Sequence, residues 1–292
     1  MSDFVVLAGR ASPRLGAALA KELGCPLADV ELKQFPDGEL YVRITSDVQG
    51  KHVVCVQTTA PNDHFVELLL LQDAAHEAGA AQVTTVVPYY AYARQDQVFH
   101  PGEAVSARAV ARAIYSTANR LLNVDPHKDH ILEFFDGVST QVSAVPQITA
   151  QLKDWDVDLV LAPDKGARDR AEQAAAILGV PHDHLEKTRI DATHVEMKAK
   201  DLDVAGKTVA IVDDMIASGG TMATAAAQLK QQGAKAVIAA CTHGVYTDGA
   251  VTRLLAAGID HVLCTDSIEA ARADGGDVVS CAPAIAAALR GT

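Results

Sequence analysis

The stretch KTVAIVDDMIASGGTMATAAAQLKQQG, residues 207–233, contains an apolar run, two adjacent carboxylates, a glycine pair and an alanine-rich segment, in that order. The apolar VAIV predicts a buried strand, and DDMIAS predicts the turn at its carboxyl end. The alanine-rich remainder predicts a helix that ends at Gly233. A strand that leads through a tight turn into a helix is typical of a β-α-β unit, and therefore of a parallel sheet covered by helices.

The same alternation of strand-like and helix-like segments continues along the chain. Apolar runs such as VVLA, HVVCVQTT and QVTTVV alternate with helix-like stretches such as LGAALAKELG and VSARAVARAIYSTA. The pattern starts again after about residue 150, where DLVLAPD precedes RAEQAAAILG. We therefore predict an α/β fold of two tandem domains, each a mainly parallel sheet covered by helices, over residues 1–145 and 146–281. The helix-like segment within 282–292 is a candidate to pack back on the first domain.

The two halves of the chain resemble each other. GKHVVCV at Gly50 aligns with GKTVAIV at Gly206. A second alignment pairs HEAGAAQVTTVVPYYAY with KQQGAKAVIAACTHGVY and places Gly79 opposite Gly233. We interpret this similarity as a duplicated domain, with convergent β-α-β patterning as the alternative.

Only the second half carries acids and glycines after the aligned strand. The first half has Gln57–Thr58 where the second has Asp213–Asp214. At a helix N-terminus, glycine N–H groups, the hydroxyls of Ser218 and Thr221 and the helix dipole all favour a bound phosphate. Two carboxylates would repel a phosphate unless they bind something else, and the vicinal hydroxyls of a sugar or a nearby Mg²⁺ are suitable. The loop therefore predicts a ribose 5-phosphate site, and an acid pair that merely caps a glycine turn is the alternative.

The composition favours a soluble globular protein. Of the 292 residues, 49% are hydrophobic and 21% charged, so the chain can bury the cores of two domains. No apolar run approaches the roughly 18 residues of a membrane span, and the N-terminus lacks the features of a signal peptide. The five cysteines are widely spaced and form no C-x-x-C pair, which predicts buried thiols and a cytoplasmic location. A net charge of −12 argues against nucleic acid as a partner.

Residues 211–222 resemble the phosphoribosyl-diphosphate loop of the type I phosphoribosyltransferase fold. Walker and G-x-G-x-x-G phosphate motifs are absent from the sequence. Five further stretches make the chain similar, over nearly its whole length, to the ribose-phosphate pyrophosphokinases, and its compact spacing is similar to the archaeal form. These stretches are FPDGELYVRI from Phe35, PYYAYARQD from Pro88, NVDPHKDHILEFFD from Asn123, PDKGARDRA from Pro163 and KTRIDATHVEM from Lys187.

Each of these stretches also has an ordinary local interpretation. FPDGE is a hairpin turn on any protein, RQD is a charge cluster on the surface, and PDKG is a turn after a strand. His127 and His130 have the spacing of many surface or core histidines. KTRIDATHVEM has no strong apolar period and is typical of a mobile, solvated loop. The functional interpretation therefore depends on all five stretches occurring together and in order.

The resemblance implies a reaction and its participants. The 1-hydroxyl of ribose 5-phosphate attacks the β-phosphorus of ATP, which gives phosphoribosyl diphosphate and AMP. Mg²⁺ is the implied cofactor. The hairpin that carries Phe35 reaches the ATP of a neighbouring subunit, so a homodimer or a higher homo-oligomer with a shared active site is implied.

The resemblance also assigns residues to each ligand. Phe35 stacks on the adenine, and His127 lies beside the ATP-bound magnesium, whereas His130 is interpreted as structural. Lys187 and Arg189 are the implied catalytic residues, because this transfer needs positive charge in the transition state and little covalent help. The implied ATP site consists of Phe35, Asp37, Glu39, Arg94, Gln95, Asp96 and His127. The implied ribose 5-phosphate site consists of Asp164, Asp213, Asp214, Ala217, Ser218, Gly219, Gly220 and Thr221, and Asp164 also helps to hold the metal.

Three positions depart from the family pattern. Gln97 stands where the family often has a basic residue, and Ala167 stands where a second glycine is common. Ala217 replaces a hydroxyl-bearing or acidic residue, so it can contribute only its backbone.

Two other functions fit parts of the sequence. A phosphoribosyltransferase needs only the loop, but it has no use for the FPDGE, RQD and VDPH stretches. A non-catalytic regulatory partner or RNA-binding attenuator is disfavoured by the presence of Lys187, Arg189 and His127, and by the acidic charge balance.

Overall fold

Two parallel sheets organise the chain, each inside one of two units. The computed structural model describes residues 3–189, 195–198, 203–247 and 249–291, and for 186–189, 195–198 and 272–274 it describes the backbone alone. Unit 1 comprises Met1–Ser143, Ser267–Glu269 and Ser280–Thr292, and unit 2 comprises Ala144–Asp266 and Ala270–Val279. The division therefore passes near the predicted 145/146 boundary, and the last helix belongs to unit 1.

Unit 1 contains a five-stranded parallel sheet in the order β1-β4-β5-β6-β7 and a separate antiparallel hairpin, β2–β3. Helices cover the sheet because its strands are apolar on both faces, as in β4, where Val53 to Val56 are all buried. The elements are β1 (Phe4–Ala8), α1 (Pro13–Leu23), β2 (Val30–Gln34), β3 (Leu40–Ile44), β4 (His52–Val56), α2 (Asn62–Glu77), β5 (Gln82–Val87), α3 (Ser106–Tyr115), β6 (Arg120–Val124) and β7 (Ser139–Val142).

Unit 2 contains a six-stranded parallel sheet in the order β15-β14-β13-β12-β8-β9 and a separate antiparallel hairpin, β10–β11. Separate apolar clusters on its two faces form the core. The elements are α4 (Val145–Asp154), β8 (Leu159–Ala162), α5 (Arg168–Leu178), β9 (His182–His184), β10 (Glu186–Arg189), β11 (Val195–Lys198), β12 (Thr208–Ile216), α6 (Gly220–Gln231), β13 (Ala236–Gly244), α7 (Ala250–Ala256), β14 (His261–Thr265) and β15 (Asp277–Val279).

The two units exchange their terminal helices. Helix α8 (Ala282–Arg290) follows β15 of unit 2, but it belongs to unit 1, where it contacts α1 and β7. Helix α4 follows β7 of unit 1, but it belongs to unit 2, where it contacts α5 and β15. The two helices are similar in sequence, VPQITAQL and APAIAAAL. Each unit is therefore completed by the helix that follows the other unit's last strand.

The aligned glycines of the two halves make the same contacts. Gly50 N donates to Gly79 O at 2.8 Å, and Gly206 N donates to Gly233 O at 2.8 Å. All four have positive φ angles, which glycine adopts without strain. These repeated contacts support the interpretation of the sequence as a duplication.

Two segments differ from the local expectations. Strand β12 continues through Asp213 to Ile216 instead of ending before the acids, because β13 is equally long and pairs with it as far as Gly244. In the stretch KTRIDATHVEM, expected to be a solvated loop, residues 187–189 and 195–197 lie on the antiparallel strands β10 and β11, where Lys187 pairs with Met197. Antiparallel pairing satisfies backbone groups without a helical apolar period. Residues 190–194 of this stretch lie outside the described residues.

No helix in the described part of the chain combines the length and the apolar character that a membrane span requires.

Candidate active site

The glycine loop of unit 2 requires glycine at Gly219. This residue immediately precedes α6 and has φ of +71°, a left-handed conformation that other residues rarely adopt. A side chain would also place its Cβ 3.0 Å from Cγ of Leu254 on α7. The conformation and the close packing both disfavour a larger residue, so glycine lets the loop keep a tight path into the helix N-terminus.

Backbone carbonyls at the start of this loop accept hydrogen bonds from the segment that follows β13. Tyr246 N donates to Ile216 O at 3.0 Å, Thr247 N donates to Ala217 O at 3.0 Å, and the Arg253 guanidinium donates to Ser218 O. Three consecutive carbonyls therefore accept hydrogen bonds from the segment that follows β13. Ala217 contributes its backbone carbonyl to these contacts.

The sequence patterns did not identify Arg253 and Thr247 as functional residues, although both position the loop. Each lies about thirty residues after its partner, since the hydrogen bonds link Ser218 to Arg253 and Ala217 to Thr247. An isolated arginine in a short helix carries no local signal of this contact. The duplicated β-α-β order predicts only that the ends of β12 and β13 are neighbours.

Three carboxylates lie at the carboxyl ends of neighbouring strands. Asp213 and Asp214 are near the end of β12, and Asp164 follows β8, its neighbour in the sheet. Burial and the negative charge of Asp214 raise the pKa of Asp213 to about 8, and Asp164 is close enough to contribute. Asp213 Oδ1 accepts a hydrogen bond from Asp214 N at 2.8 Å. The carboxyl edge of an open parallel sheet is the usual ligand edge, and this one offers several oxygen acceptors.

The turn after β8 is organised by Asp164. Its Oδ1 accepts from Gly166 N at 2.8 Å, and Ala167 N donates to Asp164 O at 3.3 Å. Ala167 is only 2% exposed and belongs to the apolar cluster with Ala171. Its methyl group is therefore used in packing, which gives the departure from a second glycine a structural explanation.

The described residues contain no group of three or more His, Cys, Asp or Glu side chains arranged to hold a metal ion. Mg²⁺ does not need such a cage, because it keeps several waters and is usually bound by one or two carboxylates together with substrate phosphates. The acids around Asp164 and Asp213 fit a metal held in this way. His127 is half-buried after β6.

In unit 1, the FPDGE stretch joins β2 to β3. Phe35 N donates to Glu39 O at 2.8 Å, and Asp37 Oδ1 accepts from Glu39 N at 3.1 Å, so the predicted hairpin is present. The Phe35 ring is 47% exposed and contacts Tyr41 edge-on, with 6.2 Å between centroids. The face of an exposed ring can accept another planar group.

The RQD stretch lies in the loop after β5, and its three residues differ in environment. Arg94 is exposed, whereas the Asp96 side chain is 3% exposed and lies 3.2 Å from His130 Nε2 and 3.6 Å from Lys128 Nζ. Asp96 therefore links this loop to the loop that carries His127. His130, interpreted as structural, has a partner that explains it.

The predicted residues thus form groups within the units. Unit 2 brings together Asp164, Asp213, Asp214 and the 217–221 loop, and the backbone of β10 carries Lys187 and Arg189. Unit 1 links Arg94–Asp96 to His127 and carries Phe35, Asp37 and Glu39 on the β2–β3 hairpin.

Comparison with known proteins matches both parts of the chain to family models. Residues 4–117 match the N-terminal domain of ribose phosphate pyrophosphokinase, and residues 143–266 match the phosphoribosyl transferase domain. The ribose-phosphate pyrophosphokinase of Methanopyrus kandleri is 44% identical over 290 residues, which cover 98% of each chain. That of Methanosarcina acetivorans is 41% identical over 287 residues, 98% of this chain and 99% of the relative. The crystal structure of phosphoribosylpyrophosphate synthetase from Mycobacterium smegmatis is 35% identical, has a TM-score of 0.86 and covers 98% of this chain and 97% of that one.

Proposed function

This chain belongs to the ribose-phosphate pyrophosphokinase family, and from that premise we propose which of its residues bind ATP and ribose 5-phosphate and how they promote the transfer. Enzymes of this family transfer the β,γ-diphosphoryl group of ATP to the 1-hydroxyl of ribose 5-phosphate. The bond between the 1-oxygen and the β-phosphorus forms, and the bond between that phosphorus and the oxygen of the α-phosphate breaks. The products are 5-phosphoribosyl 1-diphosphate, a precursor for nucleotide biosynthesis, and AMP.

The ribose 5-phosphate site is proposed at the end of β12. The observation that supports it is the loop 217–221, which leads into the N-terminus of α6. The carbonyls of Ala217 and Ser218 in this loop accept hydrogen bonds from Thr247 and Arg253. The N–H groups of Gly219 and Gly220 and the hydroxyls of Ser218 and Thr221 would bind the 5-phosphate, helped by the helix dipole.

Asp213 and Asp214 are proposed to accept hydrogen bonds from the vicinal ribose hydroxyls. Burial, together with the negative charge of Asp214, raises the pKa of Asp213 to about 8, so ionising both carboxyls without a ligand costs free energy. Hydroxyl donors and a nearby cation would remove this cost. The pair is therefore suited to binding a polyol next to positive charge.

Asp164 and His127 are proposed to position the metal, with Mg²⁺ as the expected ion. Bound Mg²⁺ would neutralise the charge on the transferred diphosphoryl group. Asp164 offers a hard oxygen ligand, whereas His127 is better suited to orient a water or a phosphate, because Mg²⁺ prefers oxygen.

ATP is proposed to bind in unit 1. The exposed ring of Phe35 would stack on the adenine, with Asp37 and Glu39 at its amino edge. Arg94 and Gln95 lie on a loop that is linked to the His127 loop by the contacts of Asp96 with Lys128 and His130. This link would fix the positions of Arg94 and Gln95 relative to bound ATP.

Lys187 and Arg189 are proposed as the catalytic residues. They lie two positions apart on β10, and the β10–β11 hairpin gives the strand a defined backbone. Positive charge placed where negative charge develops is the main contribution that a protein makes to this kind of transfer.

We further propose a homodimer or a higher homo-oligomer, in which the β2–β3 hairpin completes the ATP site of a neighbouring subunit. The exposed Phe35 supports this arrangement. A cytoplasmic location is proposed from the thiols, since all five cysteines are free and four are buried.

The first test is phosphorus NMR of the protein with ATP, Mg²⁺ and ribose 5-phosphate. AMP and phosphoribosyl diphosphate are expected to appear together and in equal amounts. A matched reaction without ribose 5-phosphate should leave ATP intact. Formation of ADP in place of AMP would show transfer of a single phosphoryl group and contradict the mechanism.

A further inference from the structure

The loop between Gln95 and α3 is closed by one carboxylate. Glu103 Oε2 accepts hydrogen bonds from Phe99 N at 2.8 Å and from His100 N at 2.9 Å. The same oxygen lies 3.2 Å from Gln95 Nε2. These hydrogen bonds from the His100 and Phe99 amides lower the pKa of Glu103, so the carboxylate is charged at neutral pH. Glu103 therefore connects the fold of this loop to the side chain of Gln95.

The contacts of Gln95 determine how its amide is oriented. Its Nε2 donates to Gln97 O at 3.2 Å and to Glu103 Oε2 at 3.2 Å. Both partners are oxygens that only accept, so the flipped amide would place Oε1 against two acceptors and lose both hydrogen bonds. The amino group is thus committed within the protein. No group in the described part of the chain donates to Gln95 Oε1, which remains available as an acceptor.

We propose that Glu103 is a positioning residue for the nucleotide, and that it presents Gln95 to ATP as a hydrogen-bond acceptor. This rests on the proposed placement of ATP at Gln95. The phosphates of ATP only accept hydrogen bonds at neutral pH, so they are unsuitable partners for Oε1. The available donors are the 6-amino group of adenine and the two ribose hydroxyls. Gln95 therefore contacts the nucleoside part of ATP, and Glu103 contributes to nucleotide specificity without touching the nucleotide.

The role of Glu103 is tested by steady-state kinetics of Glu103→Ala. The KM for ATP should rise about three- to tenfold, which corresponds to one weakened neutral hydrogen bond. The kcat and the KM for ribose 5-phosphate should stay within about twofold, because the contact is equal in ground and transition states. Glu103→Gln should recover most of the ATP affinity, since its amide oxygen can accept the same N–H groups. Glu77→Ala, which removes another surface carboxylate of unit 1, is the matched control and should leave both KM values unchanged.

The acceptor role of Gln95 is tested with three triphosphates, each lacking one donor: 2′-deoxy-ATP, 3′-deoxy-ATP and purine riboside triphosphate. Gln95→Ala should raise the KM for ATP and for two of these analogues about three- to tenfold, and leave the KM of the third unchanged. The third analogue identifies the donor. An equal rise for ATP and all three analogues would overturn the assignment.

Failure of this proposal is distinguishable from failure of the proposed function. A wild-type protein that forms no AMP from ATP and ribose 5-phosphate would contradict the function itself. An active wild-type protein whose KM for ATP is unchanged in Glu103→Ala would contradict only the role of Glu103. A lowered unfolding temperature with both KM values raised, and no recovery in Glu103→Gln, would mean that Glu103 supports the fold alone.

Discussion

At the scale of single residues, the sequence was informative where chemistry is local. Asp213, Asp214 and Gly219 lie close together in the chain, and the succession of strand, turn and helix N-terminus predicts that they share one location. Arg253 and Glu103 gave no such signal. Arg253 contacts Ser218, 35 residues away, and Glu103 contacts Gln95, 8 residues away, as well as the nearby amides of Phe99 and His100. These contacts depend on how the chain folds back on itself. Local residue types predict a site, whereas the residues that position it require the tertiary structure.

Lys187→Ala is expected to lower kcat by roughly 10²- to 10³-fold, because its charge would act mainly in the transition state. The KM values for ATP and ribose 5-phosphate should change little. Rapid-quench measurement of AMP formation checks the effect. Lys198→Ala, on the paired strand of the same hairpin, is the control and should retain activity. A large loss of ATP affinity with normal kcat would contradict the catalytic role.

Asp213→Asn is expected to stabilise the metal-free, ligand-free protein, and increasingly so as the pH rises. The folded-state pKa of Asp213 is raised to about 8, whereas an unfolded aspartate titrates near 4. The wild-type protein therefore loses stability as the pH rises above about 4, and the loss is complete above about 8. The difference in unfolding free energy at pH 8 should exceed about 1.4 kcal/mol, the value of one pKa unit. Denaturant titrations from pH 5 to 9 in the presence of a chelator provide the measurement.

Asp260→Asn is the matched control, because the pKa of Asp260 is lowered in the folded protein, whereas that of Asp213 is raised. Burial acts to raise the pKa of Asp260, but hydrogen bonds from Lys230 Nζ and from Val237 N outweigh it and lower that pKa. Its loss should destabilise unit 2 at neutral pH and have little effect at strongly acidic pH, below the lowered pKa. Trp155, the only tryptophan of the chain, lies in unit 2 and reports both transitions. Equal pH dependence in the two variants would contradict the assignment for Asp213.

At the scale of elements, apolar periodicity predicted the strands and helices well. It failed where pairing with a neighbouring strand determines whether a segment is a strand and where that strand ends. The length of β12 depends on the pairing available from β13, which extends to Gly244. The β10–β11 hairpin depends on pairing between polar segments, which leaves no apolar period in the sequence. The FPDGE hairpin was predictable because its turn chemistry is local.

Asp96→Asn is expected to loosen the two loops that Asp96 joins. Its carboxylate is nearly inaccessible, whereas His130 and Lys128 are about half exposed, so the loss of these two contacts should cost about 1 kcal/mol, less than for a fully buried pair. The KM for ATP should rise about three- to tenfold, and the KM for ribose 5-phosphate should not change. Steady-state kinetics with each substrate varied in turn measures both KM values. Asp129→Asn removes an exposed neighbouring acid and should be neutral.

At the scale of the whole molecule, the repeat in the sequence predicted two similar domains, and the structure has two similar units. The exchange of α4 and α8 was only partly foreseen, through the segment at 282–292. The amphipathic pattern of a helix predicts that its apolar face is buried, but it does not predict which unit buries that face. The unit that each helix joins follows from its tertiary contacts, α8 with α1 and α4 with α5, and the periodicity of the sequence carries no signal of them.

The exchange predicts that equivalent mutations in the two helices act on opposite units. Ile285 of α8 and Ile148 of α4 are both fully buried, and truncation of either to alanine should cost about 2–5 kcal/mol. Ile285→Ala should speed hydrogen exchange in α1 and β7, which α8 contacts, and Ile148→Ala should speed exchange in α5 and β15. Mass spectrometry of proteolytic peptides resolves the two patterns. Faster exchange in β15 alone after Ile285→Ala would show that each helix stays with the strand that precedes it.

The helix exchange also constrains the order in which the protein can mature as it leaves the ribosome. Domains commonly fold from the N-terminus as they are synthesised. Here unit 1 has to wait for α8, which is translated after every strand of unit 2. The surface of α1 that α8 covers therefore stays open to chaperones, or to other nascent chains, until α8 has left the ribosome.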